Sequence, residues 1–211
     1  MMLCLHCLRH GDLFFDIGAN VGSYTVLASG VCRAYAWAFE PHHGTAQHLR
    51  RNIAINNLGG LVVVYELALG AVDGEVPFTV DLGTMNRVAS TKQQTFRMVR
   101  QQRLDELIGD QQPLMIKMDV EGYEEEILRG AQSLLANNSL KLILLETVTR
   151  EANDMLKRNR FVQAYYEPCT RKLQRQPTAT RSSNSIFVRD WEFVSLRLTS
   201  AKPVKILDVF V

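Results

Sequence analysis

Residues 13–40 constrain this chain more than any other stretch. They read as strand, glycine-bearing loop, helix and second strand. Phe15-Asp16-Ile17 closes an apolar strand over Leu13–Ile17, Gly18-Ala19-Asn20-Val21-Gly22 turns, and a helix is expected over Ser23–Ser29. The next strand is Ala34–Phe39. Strands joined through a helix run parallel and need cover on both faces, so the unit predicts an α/β sheet with helices on each side.

The rest of the chain continues the alternation. A helix over Thr45–Asn57 carries Ala46, Leu49 and Ile53 on one face, and Leu61–Tyr65 is a third strand. Gly70, Asp73-Gly74 and Gly83 are turn signals, and Val76–Val80 and Thr95–Val99 read as an antiparallel excursion. Leu114–Met118 is the fourth strand. It leads through Asp119-Val120-Glu121-Gly122 into a helix from about Tyr123, with Glu124, Glu125 and Glu126 in its first turn. Ile127, Leu128, Ala131, Leu134 and Leu135 form its buried stripe. Further strands are expected at Lys141–Leu145, Phe161–Tyr166 and Ser185–Arg189, with a basic connection between the last two. A single domain over 1–211 is expected, with 1–10 as an N-terminal extension and 190–211 as a tail.

Composition agrees with one globular domain: 211 residues, 46% hydrophobic and 22% charged. No apolar run approaches the roughly 20 residues of a membrane span, and no secretory leader is evident, so a cytoplasmic location is expected. Net charge is +2. Arg171, Lys172, Arg175 and Arg181 cluster without an acid between them, but no aromatic interleaving accompanies them, so nucleic-acid binding is not expected. Cys4-Leu5-His6-Cys7 with His10 is the start of a zinc pattern that nothing completes. Reduced, partly buried thiols are expected for it.

The chemistry concentrates at the first loop. Glycines admit a ligand close to the backbone, and the following helix start favours an anionic group. Asp16 sits before the turn and can meet a cation. Glu40, ending the second strand, can accept from a ribose diol. Two ligands compete, a nicotinamide dinucleotide and S-adenosylmethionine (SAM). Asn20 stands where a dinucleotide fingerprint needs its second glycine. SAM carries no phosphate: its ammonium suits Asp16 and its carboxylate suits loop amides, so the pattern favours SAM.

The combination of Asp16-Ile-Gly-Ala-Asn-Val-Gly22, Phe39-Glu-Pro41, Asn52 with Asn56, Ala68-Leu-Gly70, Arg103-Leu-Asp-Glu-Leu107, Ile116-Lys-Met-Asp-Val-Glu-Gly122, Leu128-Arg-Gly-Ala131 and Leu144-Leu-Glu146 resembles the FkbM-type SAM-dependent methyltransferases. The resemblance implies a class I methyltransferase Rossmann-like fold, a seven-stranded, mostly parallel sheet with one antiparallel strand. It also implies O-methylation of a small-molecule or glycan acceptor such as a sugar or secondary metabolite. Cofactor contacts are then expected at Asp16, Gly18, Ala19, Asn20, Gly22, Glu40, Ala68 and Asp119. About ten residues precede the first strand, fewer than many relatives carry, so the substrate lid is expected to be reduced or borrowed from a partner in a homodimer.

Lys117, Asp119 and Glu121 alternate at the exit of the fourth strand, where ligands bind in open α/β sheets. Asp119 and Glu121 are the catalytic candidates, with Glu121 placed to hydrogen-bond or deprotonate an acceptor hydroxyl. Lys117 is expected in an ion pair with Asp119 or Glu146. Asp119, Glu121 and Glu146 could alternatively hold Mg²⁺ or Ca²⁺, though no metal is expected. His42 and His43 are surface loop histidines that can titrate near neutrality. A non-catalytic SAM- or nucleotide-binding partner subunit is the alternative function. Asp16→Ala and Glu40→Ala are each expected to weaken SAM binding with the fold intact.

Overall fold

The computed structural model describes residues 1–79, 88, 95–176 and 184–203, with the backbone of 205–206 and 209–210. Val80, Gly83 and Arg181 lie outside the described residues. In chain order the elements are α1 (Met2–Cys7), β1 (Leu13–Ile17), α2 (Ser23–Gly30), β2 (Tyr35–Phe39), α3 (His43–Ile55) and β3 (Val62–Tyr65). Next come β4 (Ala68–Leu69), β5 (Gly74–Thr79), β6 (Phe96–Gln102), α4 (Leu104–Ile108), β7 (Met115–Met118), α5 (Glu124–Arg129) and α6 (Gln132–Ala136). The chain continues with β8 (Leu142–Leu145), α7 (Arg150–Arg158), β9 (Val162–Glu167), β10 (Lys172–Gln174), β11 (Ser185–Val188) and α8 (Trp191–Thr199). A short pair, β12 (Lys205–Ile206) and β13 (Val209–Phe210), follows.

The main sheet has the order β10-β9-β11-β8-β7-β1-β2-β3. β3, β2, β1, β7 and β8 are mutually parallel, and β11 inserts antiparallel between β8 and β9. Seven of the strands match the expected sheet. The eighth, β10, folds back antiparallel on β9 inside the segment read from sequence as a plain basic connection. Its basic residues do structural work: Arg171 donates to the carbonyl of Ala201, and the Arg175 guanidinium lies 4.6 Å from the centre of the Trp191 ring.

The central strands are buried along both faces, which is why they read as unbroken apolar runs. Alternate residues sort between two cores. Phe15, Ile17, Ile116, Met118, Ile143 and Leu145 face α4 to α7. Phe14, Met115, Leu142 and Leu144 face α1 and α8, with α2 beside them. Cys4 and Cys7 sit fully buried in this second core. Burial pushes both thiols up, Cys7 to about 12. The helices α1, α4, α7 and α8 have no counterpart among the helices expected from sequence.

Between β3 and β7 the expected excursion forms a separate sheet of order β4-β6-β5, with β5 and β6 antiparallel. It meets the main body at a glycine contact. A Cβ on Gly130 would stand 2.0 Å from the carbonyl oxygen of Gly70, and Asp105 locks the same junction by accepting from the amides of Ser133 and Leu134. Three motifs far apart in sequence therefore meet at one joint. Gly130 also interrupts the helix expected from Tyr123, splitting it into α5 and α6 with the predicted apolar stripe still buried. Gly130→Ala is expected to destabilise the fold by about 1–3 kcal/mol through overpacking. The readout is a lowered urea midpoint at constant slope, and an unchanged midpoint would show that the joint yields freely.

Candidate active site

The chain runs outward from β1 to β3 and returns to β7 beside β1, so the connections diverge between β1 and β7. Open α/β sheets form their ligand crevice at the carboxyl ends of strands flanking such a point. A cavity of about 470 Å³ lies there. Its wall takes Ile17–Val21 after β1, Phe39–Pro41 after β2, Leu67–Leu69 after β3 and Lys117–Glu121 after β7. Ser23 and Tyr24 from α2, Tyr123 and Ile127, Phe78 of β5 with its bridge partner Val88, and Met1 complete it.

Of the residues expected to contact a cofactor, Gly18, Ala19, Asn20, Glu40, Ala68 and Asp119 border this cavity, as does Glu121. Asp16 and Gly22 do not. Asp16 is fully buried, and its Oδ2 accepts from the amide (3.0 Å) and hydroxyl (2.6 Å) of Thr25. It thereby caps α2, whose own N-cap, Gly22, has no side chain to offer. Gly22 adopts φ +93°, and a Cβ there would meet Leu49 at 2.4 Å. The adjacent Gly18 is closed differently: a Cβ would stand 2.0 Å from the carbonyl oxygen of Asp119. Both glycines serve packing as well as any approach of a ligand.

Lys117 is the hinge of the electrostatics. Its ammonium lies 3.4 Å from Asp16 Oδ1, 3.2 Å from Asp119 Oδ2 and 4.9 Å from the centre of the Tyr24 ring. Burial pulls the Lys117 pKa down, but Asp16 and Asp119 outweigh it and hold the group above its ordinary value. Side-chain exposure separates the two acids: 1% for Asp16 against 40% for Asp119. Asp119 therefore presents the charge that reaches the cavity. Glu146, predicted as one partner for Lys117, instead lies against Asp119.

Every amide of the first loop is engaged within the protein. Gly18 and Ala19 donate to the carbonyl of Phe39, Asn20 to Glu40, Val21 to the side chain of Asn20, and Gly22 to the carbonyl of Ala19. The amides expected to receive a ligand carboxylate therefore already have partners within the protein. Asn20 takes φ +52°, a left-handed conformation that asparagine tolerates, and so turns the loop without glycine. Asn52 braces the turn by donating to the carbonyl of Val21.

Glu40 faces the cavity while accepting from the amides of Asn20 (3.1 Å) and His42 (2.9 Å). Burial pushes its carboxyl up to about 7, against the pull of those two amides. His42 caps α3 through Thr45, and His43 pairs with Glu66 at 2.6 Å, so both histidines are occupied in structure. Glu124, in the acidic first turn of α5, is buried and accepts from backbone amides. Among the described residues no three His, Cys, Asp or Glu side chains gather as a metal site. Tyr24, Phe78, Val88 and Tyr123 were missed from sequence. Only Tyr24 had an available signal, its place in the first turn after the loop.

The model of the methyltransferase FkbM domain matches residues 16–165. The chain belongs to the FkbM methyltransferase family. It is 26% identical over 147 residues, 68% of its length, to the hexuronic acid methyltransferase AglP of Haloferax volcanii, and the match spans 59% of that relative. The methyltransferase FkbM from Methylobacillus flagellatus KT aligns with a TM-score of 0.55 at 18% identity, covering 84% of this chain and 43% of that one. An rRNA methylase from Streptococcus thermophilus aligns at 0.51 and 10% identity, covering 89% and 92%. The fold is that of the class I methyltransferases, Rossmann-like.

Asp16→Ala is expected to destabilise the protein by about 3–5 kcal/mol, because it strips a buried ammonium of a partner and α2 of its cap. Chemical denaturation checks this, and wild-type stability in the variant would place Asp16 outside the fold's support. Glu40 gives a second test. Its folded pKa, about 7, exceeds the ordinary 4.5, so its contribution to stability is lost as pH rises through that interval. The melting temperature of Glu40→Gln relative to wild type should therefore climb between about pH 5 and 8, and a constant difference would contradict the buried ionisation.

Proposed function

We propose that the chain is a SAM-dependent methyltransferase that methylates a hydroxyl on a sugar, glycan or related small molecule. The observation that carries this reading is the pairing of an acidic cavity wall with a loop whose amides are all engaged. A dinucleotide needs free N–H groups for its pyrophosphate. Here the Gly18–Gly22 amides are taken, and the wall carries Glu40, Asp119 and Glu121 against Lys117, itself paired to two aspartates. That donor set fits a cationic nucleoside.

SAM, when bound, supplies a methyl group already activated by its sulfonium. The rest falls to this chain. Glu40 accepts the ribose hydroxyls. Ser23 and Tyr24, in the first turn of α2, receive the carboxylate in place of the loop amides. Asp119 and Glu121 face the reacting end and hold the acceptor hydroxyl, while Leu67, Leu69, Phe78 and Ile127 keep water out. Gly18, Ala19, Asn20 and Ala68 shape the wall, and Asp16 and Gly22 act from behind it. The sugar class rests on the likeness to the hexuronic acid methyltransferase. Four free cysteines, two of them buried, fit a reducing cytoplasm.

Isothermal titration with SAM and S-adenosylhomocysteine, followed by a panel of uronic and neutral glycosides, tests the reading. Both nucleosides should bind and NADH should not. Glu40→Ala should weaken SAM binding by about tenfold or more, the loss of hydrogen bonds to a charged group. Binding without turnover on any acceptor would favour a non-catalytic partner subunit.

A further inference from the structure

β7 and β8 run parallel and end together. Met118 pairs with Leu145, so Asp119 and Glu146 leave the sheet side by side. Side chains at paired positions of parallel strands project to the same side, and Asp119 is the leading influence that raises the Glu146 carboxyl. Glu146 Oε2 is closed to solvent and has no hydrogen-bond donor among the described residues. Two ionised carboxylates in contact repel each other, and a buried oxygen without a donor is costly. One proton held between them removes both penalties.

The surroundings reinforce that arrangement. The Lys117 ammonium reaches Asp119, with Asp16 on its other side, and the Tyr24 ring lies over Lys117. The charged groups that act most strongly on Glu146 are Asp119, Glu121 after β7 and Glu124 at the start of α5, all acids. Glu124 is held by the amides of Val120, Thr147 and its own residue. The direct ion pair of Lys117 is thus with the member of the pair that borders the cavity.

The geometry points to Asp119 and Glu146 as a proton-sharing pair. Asp119 takes the proton of the acceptor hydroxyl, and Glu146 is a positioning residue that holds that proton from behind. This rests on the methyltransferase reading. As the acceptor oxygen bonds the methyl carbon, that carbon's bond to sulfur breaks and its electron pair stays on sulfur. The O–H proton passes to Asp119, settles between the two carboxyls and later leaves to solvent. The pair must start without its proton. Contact with Asp119, then burial, push Glu146 up to about 7, so the competent form fills as pH rises through that value.

An infrared difference titration of the full chain, from about pH 5 to 9, tests the pair without any acceptor. Glu40 titrates in the same window, so Glu40→Gln is the background. A carboxylic-acid band should vanish with a midpoint near 7 in that background. It should be absent when Glu146→Gln or Asp119→Asn is added, with circular dichroism confirming the fold. For methyl transfer to an accepted glycoside, Glu146→Gln should move the acidic limb of the pH–rate profile down by about one unit or more. A merely structural loss lowers the rate at all pH values and leaves the limb in place. Absence of a band dependent on both residues, or an unmoved limb, overturns the proposal. Failure of the methyltransferase reading registers separately, as no binding of SAM with the band still present.

Discussion

The buried contact between Asp16 and Lys117 is the constraint on which the upper end of the sheet depends. The two residues are register partners on adjacent parallel strands, β1 and β7, on the face covered by α2. An ammonium there is tolerable only because carboxylates stand on both sides and the Gly18 carbonyl accepts from it. The same contact settles the start of α2 through Thr25 and turns Asp119 toward the cavity. Scaffold and site are therefore one electrostatic unit.

That unit explains a division of labour invisible in the linear motif. A carboxylate just before a glycine loop reads as a ligand contact, and Asp16 was assigned one. Three-dimensional packing gives it internal partners and passes the exposed charge to Asp119, 103 positions away. Glu40 shows the reverse case. It borders the cavity although an amide already donates to each of its oxygens, Asn20 to Oε2 and His42 to Oε1.

The strands and their order along the chain were legible wherever local pattern and burial agree. β1, β7 and β8 are doubly buried and read as apolar runs, and the antiparallel excursion announced itself through Asp73-Gly74. Four helices escaped. α1 has apolar residues nearly throughout, α7 is mostly polar with Ala152, Met155 and Leu156 as its buried stripe, and α4 is a five-residue turn. The cavity rim was legible at Gly18 through Asn20 and at Glu40, where motif and location coincide. Phe78 and Val88 were not, since their position depends on how a separate sheet leans over the crevice, a long-range arrangement no local spacing encodes.

The small sheet β4-β6-β5 has one more implication. It supplies Ala68, Leu69 and Phe78 to the cavity wall, and it joins the main body through Leu69 in the main core, the Gly70–Gly130 joint and Tyr123 donating to Gln101. The cavity is thus lined from two sheets, the strand ends of the main one and the face of the smaller one. A change of side chain at Phe78 can accordingly reshape the cavity while the strand ends of the main sheet stay as they are.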